Sequence, residues 1–185
     1  MTAQDSLETL MRLMPPRPGD GVTVDWAAVE AAWGLEFPPD FKGFVARYGE
    51  DFLDEDLSVI VPTEVTSQTC DEPGAPLGGM GFITADARAT WVLTEPTGLD
   101  AVPEDLVAWG AASSADLYCW LVQGEPADWP VVVFRHGDDT WTRFGYGMTE
   151  FLCRVIQADA GVQPMHQIPL WGRSVSSTAH AVAGG

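Results

Sequence analysis

Apolar residues recur at helical spacing in four short segments of the chain. The apolar positions of these segments are Leu7, Leu10, Met11 and Met14; Trp26, Val29 and Trp33; Phe41, Phe44, Val45 and Tyr48; and Met148, Phe151, Leu152, Val155 and Ile156. Each set falls on one stripe of a helix. Asp25 can cap the second helix, and Gly34 and Gly49 follow the second and third stripes, where helices commonly end. The pattern therefore predicts three short N-terminal helices and one helix near the C-terminus.

The middle of the chain has the composition and spacing of β-strands. Strands are predicted over residues 57–61, 106–109, 116–122, 130–136 and 141–144. Turn residues separate the last four strands at short intervals, which is typical of an antiparallel meander. Residues 116–122 are apolar at successive positions, and so are residues 131–134. These two segments are therefore predicted to be central strands that are covered on both faces.

The remaining central residues give weaker signals. Residues 63–81 are rich in Pro, Gly, Ser and Thr, which predicts a long loop, and residues 82–94 are predicted to contain one strand near residues 91–94. The order of helices, then strands, then a helix predicts an α+β fold. We expect an antiparallel or mixed central sheet, flanked by short N-terminal helices and a closing C-terminal helix.

The chain of 185 residues is long enough for one compact domain and short for two. Residues 1–24 are predicted to form an N-terminal helix and a Pro/Gly linker, and residues 25–158 the α+β domain. Residues 159–185 carry little charge and are expected to form a mobile tail. Within this tail, Ile168, Leu170 and Trp171 are apolar enough to dock, either on the domain or on a partner.

Charge is distributed unevenly along the chain. There are 27 acidic and nine basic residues, a net charge of −18, and residues 48–134 contain 16 of the acidic residues but one basic residue, Arg88. A surface of this sign repels phosphate groups, which disfavours DNA, RNA and anionic membranes as ligands. It speeds the encounter with a basic protein. High net charge also keeps proteins soluble, and charge alone does not separate the two explanations.

The densest acidic stretch lies within residues 50–56, and contains Glu50, Asp51, Asp54, Glu55 and Asp56. Such a stretch can be a solvated loop or a contact for a basic partner. The spaced D-x-D-x-D-G pattern of a calcium loop is absent from it, which argues against calcium. We predict that these five residues and Asp116 bind the partner.

The three cysteines do not indicate a chemical site. Cys70, Cys119 and Cys153 are widely spaced and provide no disulfide framework. A zinc site that adds His136 to them is conceivable, but Cys119 lies in an apolar strand and Cys153 on an apolar helix face. Free cysteines in such positions usually act as small buried hydrophobes. We therefore predict no metal site.

Catalytic constellations are equally hard to find. Ser113 and Ser114 lie in a turn without the G-x-S-x-G pattern of a nucleophile elbow. A protein of this size that was an enzyme would usually show an acid/base or ligand constellation. We therefore predict a non-enzymatic protein without cofactors. An enzyme would become the better hypothesis if the fold gathered acids such as Asp116 and Asp138 in a deep pocket.

The second and third predicted helices together form a longer motif: an amphipathic helix, a Gly, an apolar-Pro step, and a helix that ends in Gly. Its residues are Trp26, Val29, Glu30, Trp33, Gly34, Leu35, Phe37, Pro38, Asp40, Phe41, Phe44, Tyr48 and Gly49. This motif resembles the N-terminal signature of the SUKH superfamily, the cell-wall-assembly-regulator and Syd type of domain. The strands at 116–121 and 130–136, Trp141 and the helix at 149–156 resemble later parts of that family. The resemblance covers about residues 25–156.

The resemblance implies an α+β fold, a protein-binding role and no catalytic residues. It also implies that many bacterial relatives are immunity proteins that block toxin domains, often nucleases, and that others are regulatory scaffolds. The leading hypothesis is an immunity protein that occludes a basic toxin, and the alternative is a scaffold of the cell-wall-assembly-regulator type. The N-terminus lacks the pattern of a signal peptide and no apolar run is long enough to span a bilayer, so we expect a cytoplasmic location.

Overall fold

Helices precede and follow a run of strands in this protein. The computed structural model describes residues 2–53, 56–64, 79–163, 165, 168, 170–172 and 177–179. In chain order, the elements are α1 (Ala3–Leu13), α2 (Trp26–Trp33), α3 (Pro39–Tyr48), β1 (Asp51–Leu53), β2 (Leu57–Val59), α4 (Gly79–Thr94), β3 (Leu106–Ala112), β4 (Leu117–Leu121), β5 (Val131–Arg135), β6 (Thr140–Phe144), α5 (Met148–Ile156) and β7 (Ser177–Ala179). The fold is α+β, as the sequence predicts.

Within the described ranges, seven strands form one sheet in the order β6-β5-β4-β3-β2-β1-β7. All six neighbouring pairs are antiparallel. Strands β1 to β6 are a meander in chain order, whereas β7 comes from the C-terminal segment and pairs with β1 at the edge. The predicted meander is confirmed, and the sheet is antiparallel rather than mixed.

Local capping explains where the N-terminal helices begin and end. The Thr2 hydroxyl oxygen accepts a hydrogen bond from the Asp5 amide, and the Asp5 carboxylate accepts one from the Thr2 amide. The Asp25 carboxylate accepts from the Ala28 amide at 3.2 Å and begins α2. Gly34, with a φ of 67°, ends α2 in a left-handed conformation that favours glycine. These three helices confirm the prediction.

Helices cover both faces of the sheet. The larger core contains residues of α1, α2, α3 and α5 together with Trp109 and Trp120. The smaller core lies under α4 and contains Trp91, Cys119 and Phe134. Successive residues of a strand point to opposite faces, so β4 divides its residues between the two cores and all of them are buried. The predicted coverage of β4 on two sides is confirmed.

The prediction of a strand within residues 82–94 is wrong, because Gly79–Thr94 form the helix α4. Its buried side includes Met80, Thr84, Ala87 and Trp91, which follow helical spacing. The outer side of α4 also carries large apolar residues, Phe82, Val92 and Leu93. Apolar residues therefore surround the helix, and no single stripe is visible in the sequence. Of the predicted loop at 63–81, residues 65–78 lie outside the described residues and Gly79 already belongs to α4.

Two segments that were not predicted as strands extend the sheet. Strand β1 lies inside the acidic stretch, where Phe52 and Leu53 separate Asp51 from Asp54 in the sequence and Leu53 is fully buried. Strand β7 lies in the C-terminal segment, which also places Leu170 in the larger core with Ile168 and Trp171 packed against it. These three residues therefore dock on the domain itself, and mobility of the rest of residues 159–185 stays a prediction. The domain boundaries stay a prediction.

No helix among the described residues is long and apolar enough to cross a membrane.

Candidate partner-binding site

The topology of the sheet brings several turns to one end. In a meander, alternate hairpin turns lie at the same end of the sheet, so the turns after β1, β3 and β5 are neighbours. The register pairs Leu57 with Ala112 and Leu117 with Phe134, which places the adjoining turn residues side by side. These residues surround a cleft of about 380 Å³, lined by Asp56, Ser113, Ser114, Asp116, Arg135, Gly137 and Ile168.

Asp56 has an incompletely paired carboxylate in this cleft. The side chain of Ser113 donates a hydrogen bond to its Oδ1 at 2.7 Å, and the Ser113 amide donates to its backbone oxygen at 2.9 Å. The residue is only 4% exposed, and its buried Oδ2 has no hydrogen-bond partner among the described residues. A buried carboxylate oxygen without a donor is energetically unfavourable. Asp56 therefore lines the cleft but keeps one buried oxygen that no described residue satisfies.

Asp116 accepts hydrogen bonds from two of the segments that border the cleft. Its Oδ1 accepts a hydrogen bond from the His136 amide at 2.8 Å, and its backbone oxygen accepts from the Ala112 amide at 2.9 Å. The residue thus links the turn after β3 to the end of β5. The Arg135 guanidinium lies 3.4 Å from the exposed carboxylate of Asp138. Asp138 itself does not line the cleft, so the pairing of Asp116 and Asp138 that would favour an enzyme is not seen.

Tyr118 provides a second unpaired polar atom near the cleft. Its hydroxyl is buried and, within the described part of the chain, has no hydrogen-bond partner. Burial raises the pKa of Tyr118, and the negative charges of Asp116 and Asp56 raise it further. Both carboxylates therefore lie close enough to act on this hydroxyl. Sequence reasoning overlooked Tyr118, although it lies two residues after Asp116 along β4.

The structure brings two of the six predicted partner-binding residues together, Asp56 and Asp116. Glu50 is exposed and precedes β1, at the opposite end of that strand from the turn that contains Asp56. Asp51 lies in β1. Asp54 and Glu55 lie outside the described residues. For all six residues, partner binding stays a prediction.

The two described thiols lie apart from the cleft. Cys119 is buried under α4, whereas Cys153 is buried in the core on the other face, and both are free. Burial raises the pKa of Cys119, and it raises the pKa of Cys153 to about 12. Both thiols are therefore protonated at neutral pH, whereas a nucleophilic cysteine needs a thiolate. Cys70 lies outside the described residues.

In the described ranges, no group of three or more His, Cys, Asp and Glu side chains is arranged to hold a metal ion.

The outer surface of α4 combines apolar and acidic side chains. Its large exposed apolar residues are Phe82, Val92 and Leu93, and Val102 follows in the next segment. Exposed acids accompany them, namely Asp86, Glu95, Asp100 and Glu104. Clusters of exposed apolar residues with a polar rim mark protein interfaces. We refer to these eight residues as the α4 surface.

The turn between β5 and β6 connects the α4 surface to the cleft. Gly137 of this turn lines the cleft, and Asp139 lines a shallow depression together with Thr94 and Glu95 at the end of α4. The two features are therefore neighbours on one side of the molecule.

The fold and the site thus define an α+β domain without a recognisable catalytic centre in its described residues, with an acidic cleft beside an exposed apolar helix face. A family model described as SUKH_6, SMI1-KNR4 cell-wall, matches residues 24–152. This match covers more than half of the chain, and the chain belongs to this family of SUKH domains. The resemblance seen in the sequence is confirmed. The SUKH family includes immunity proteins and regulatory proteins, and its domains are generally non-enzymatic. No curated protein and no solved structure matches the chain.

Proposed function

We propose that this protein is a non-enzymatic immunity protein that binds a basic toxin in the cytoplasm and occludes its active surface. The observation that carries the proposal is the charge of residues 48–134, where 16 acidic residues accompany one basic residue. That residue, Arg88, is turned inward and donates to the backbone oxygens of Leu106 and Glu104 at 3.0 and 3.1 Å. Its charge is therefore used inside the fold.

A nuclease is the first class of toxin to test. Enzymes that bind nucleic acid present Lys and Arg to the phosphate groups, so their active surface attracts acidic proteins. An acidic inhibitor that covers this surface competes directly with the substrate. This mechanism needs no catalytic residue in the inhibitor.

The α4 surface and the cleft are the proposed contact regions. Exposed Phe82, Val92 and Leu93 supply apolar area that a partner can remove from water, and the surrounding acids supply charge complementarity. The six acids predicted from the sequence are also proposed contacts: Glu50, Asp51, Asp54, Glu55, Asp56 and Asp116.

The test is capture of the partner from the native extract at low and at high salt, followed by an activity assay of each purified partner. We expect one basic protein whose release increases with salt and whose toxic activity, with nuclease activity tested first, is blocked by this protein. Captured proteins that keep their activity in the presence of this protein would contradict the immunity function.

Charge reversal then locates the contact. The double substitution Glu95→Lys and Asp100→Lys on the α4 surface should slow association and flatten its dependence on salt. The matched control is Glu8→Lys, which reverses an exposed acid on α1. Equal association rates for all three proteins would remove the α4 surface from the proposal.

A regulatory scaffold is the second candidate function. It is favoured by the description of the matching family model, which refers to the cell wall. A scaffold is expected to bind several partners and to leave their activities intact. The same capture experiment separates the two functions, because only an immunity protein blocks the activity of its partner.

A further inference from the structure

We infer that the outer face of α4 binds a basic amphipathic helix of the partner. The inference rests on the proposed function, since it names the structural element through which a basic toxin contacts the α4 surface. Two observations carry it: the spacing of the apolar residues on this face of α4, and the acidic side chains on both sides of it.

Helix α4 has a second apolar stripe on its outer side. The residues that α4 buries include Met80, Thr84, Ala87 and Trp91. A second set follows the spacing i, i+3, i+7, i+10 and consists of Phe82, Ala85, Ala89 and Val92. At about 100° per residue, the second set lies on the opposite side of the helix from the first. We refer to these four residues as the outer stripe.

The outer stripe is open to solvent. Phe82 is 59% exposed and Val92 is 60% exposed, and Leu93 beside Val92 is 83% exposed. Ala89 is exposed and Ala85 is half-buried. A surface helix of a globular domain typically has one apolar stripe, which faces the core. A second stripe that remains in water therefore indicates a contact surface for another molecule.

The spacing of the outer stripe indicates that its occupant is itself a helix. The four residues take positions a and d of a heptad, the pattern along which one α-helix packs against another. Between the larger Phe82 and Val92, the small side chains of Ala85 and Ala89 allow the two helix axes to approach closely. The stripe is about 15 Å long at about 1.5 Å per residue, so about three turns of a partner helix cover it.

Acidic side chains lie on both sides of the outer stripe. Asp86 takes the e position of the same heptad, on one side. On the other side, Arg88 at the g position donates to the backbone oxygens of Leu106 and Glu104 at 3.0 and 3.1 Å. These bonds use the charge of Arg88 inside the fold and place the exposed Glu104 along this side of α4. Exposed Glu95 follows the last residue of α4. Negative charge therefore borders the apolar stripe on two sides and at one end.

These charges decide between two kinds of helix. A second copy of this chain, packed through the same stripe, brings Asp86 and Glu104 of one copy close to the same acids of the other. Like charges across an interface oppose association, and the net charge of −18 adds repulsion at longer range. A helix with Lys or Arg at its own e and g positions pairs with these acids instead. The occupant is therefore a basic helix of a different protein.

The experiment uses this protein and a synthetic peptide of about three heptads, with Leu at positions a and d and Lys at positions e and g. The control peptide has the same composition, but its Leu residues are rearranged so that they do not share a helix face. The backbone amide signals of Phe82, Ala89 and Val92 are followed by NMR during titration at low salt. We expect saturable shifts of these signals with the first peptide, and binding of the control peptide that is weaker by about tenfold or more.

Any of three results of this titration would overturn the inference. The first is the absence of saturable shifts at these three residues. The second is equal affinity for the two peptides, which would mean that charge alone attracts them. The third is a shift of the same signals with protein concentration in the absence of peptide, which would mean that a second copy occupies the face.

A pair of variants tests the outer stripe itself. Phe82→Ala removes the largest side chain of the stripe and should weaken binding of the basic amphipathic peptide about tenfold. Val22→Ala is the matched control, because it truncates an exposed apolar residue whose amide donates to the Val45 oxygen of α3 at 3.1 Å. It should leave the affinity unchanged, and equal affinities of the two variants would contradict the assignment. If a variant does not fold, the comparison of the two peptides on the unmodified protein decides the question.

This experiment fails independently of the proposed function. If a captured toxin is blocked but the peptide does not bind, the proposed function stands and the helix-binding site is wrong. If the peptide binds and depends on Phe82 but no toxin is blocked, the helix-binding site stands and the immunity function is wrong.

Discussion

Two buried carboxylates in this protein have opposite surroundings. Asp40 is 6% exposed, and both of its oxygens are paired: Oδ1 accepts from the Phe41 amide at 2.8 Å, and Oδ2 accepts from the amide and the hydroxyl of Thr149 at 3.0 Å. Asp56 is 4% exposed, but within the described ranges only one of its carboxylate oxygens is paired, through Ser113. Equal burial therefore accompanies very different hydrogen bonding.

The difference separates a fully paired structural carboxylate from one with a buried oxygen that no described residue pairs. Asp40 belongs to α3 and pairs with the first turn of α5, whose own N-cap residue, Gly147, has no side chain to offer. A carboxylate at a helix N-terminus satisfies free amides and interacts favourably with the helix dipole. Thr149 also contacts Ser6 of α1, so three helices meet there. In the part of the chain that the structure describes, no comparable network surrounds Asp56.

The largest effect is expected from Asp40→Ala. This substitution leaves the buried amide and hydroxyl of Thr149 without their acceptor, and we expect it to lower the free energy of unfolding by about 3 kcal/mol. The control is Asp25→Ala, which removes one exposed capping bond at α2 and should lower it by about 1 kcal/mol. Urea unfolding measures both. Equal losses would mean that Asp40 is no more structural than an ordinary helix cap.

The next effect concerns pH and tests the buried hydroxyl beside Asp56. The pKa of Tyr118 is raised above its ordinary value of 10.0, mainly by burial. Above pH 10, the native state therefore keeps a proton that the unfolded chain loses. The contribution of Tyr118 to the free energy of unfolding is fully present below pH 10 and declines as pH rises further. The decline is expected to reach about 1.4 kcal/mol for each pH unit.

Tyr118→Phe removes the phenol. The free energy of unfolding should then fall less steeply with pH, by the slope that one proton contributes, as measured by urea unfolding at increasing pH. The buried thiols of Cys119 and Cys153 also have raised pKa values, so part of the decline should persist from about pH 9 in the variant. The same slope in both proteins would contradict the burial of the Tyr118 hydroxyl.

A smaller effect of opposite sign is expected from Asp56→Asn. Because the substitution removes an unpaired buried charge and keeps the bond with Ser113, it should raise the free energy of unfolding by about 1 kcal/mol. Asp128→Asn, at an exposed position, should change it by less than about 0.5 kcal/mol. Denaturant unfolding of both variants is the measurement. A clear loss of stability in Asp56→Asn would place Asp56 in the same structural class as Asp40.

The smallest effect on stability is expected at the exposed α4 surface. Leu93 is 83% exposed, so Leu93→Gln should change the free energy of unfolding by less than about 0.5 kcal/mol. The same variant should bind the captured partner more weakly, because it removes exposed apolar area from the proposed interface. Unchanged affinity, measured by calorimetry on the purified pair, would exclude Leu93 from the contact.

The sequence predicted most of the fold, and the exceptions have physical causes. Helices α1, α2, α3 and α5 follow from a visible apolar stripe, and β3 to β6 from short apolar segments between turns. Helix α4 was missed because apolar residues lie on its outer side as well as on its buried side. Strand β1 was missed because its three residues lie among acids.

The candidate site was predictable only in its charge. The high density of acidic residues within residues 50–56 predicted partner binding by the stretch that contains Asp56. Asp116 was also predicted as a partner-binding residue. The roles of Ser113, Tyr118 and Arg135 depend on which turns become neighbours, and spacing along the chain does not contain that information. Conversely, Asp40 looked like an ordinary residue of a helix start, although it pairs with a residue more than one hundred positions away.

The sequence by itself determined the order of most elements, the class of the fold and the acidic character of the protein, and its motifs showed the resemblance to the family. The elements, the fold class and the charge follow from local periodicity, capping residues and composition, which act over a few neighbouring positions. Only the tertiary structure decided that Asp40 is fully paired while one buried oxygen of Asp56 has no partner among the described residues. Hydrogen bonding of a buried group depends on the donors that distant segments bring to it, and strand register and helix packing set those positions.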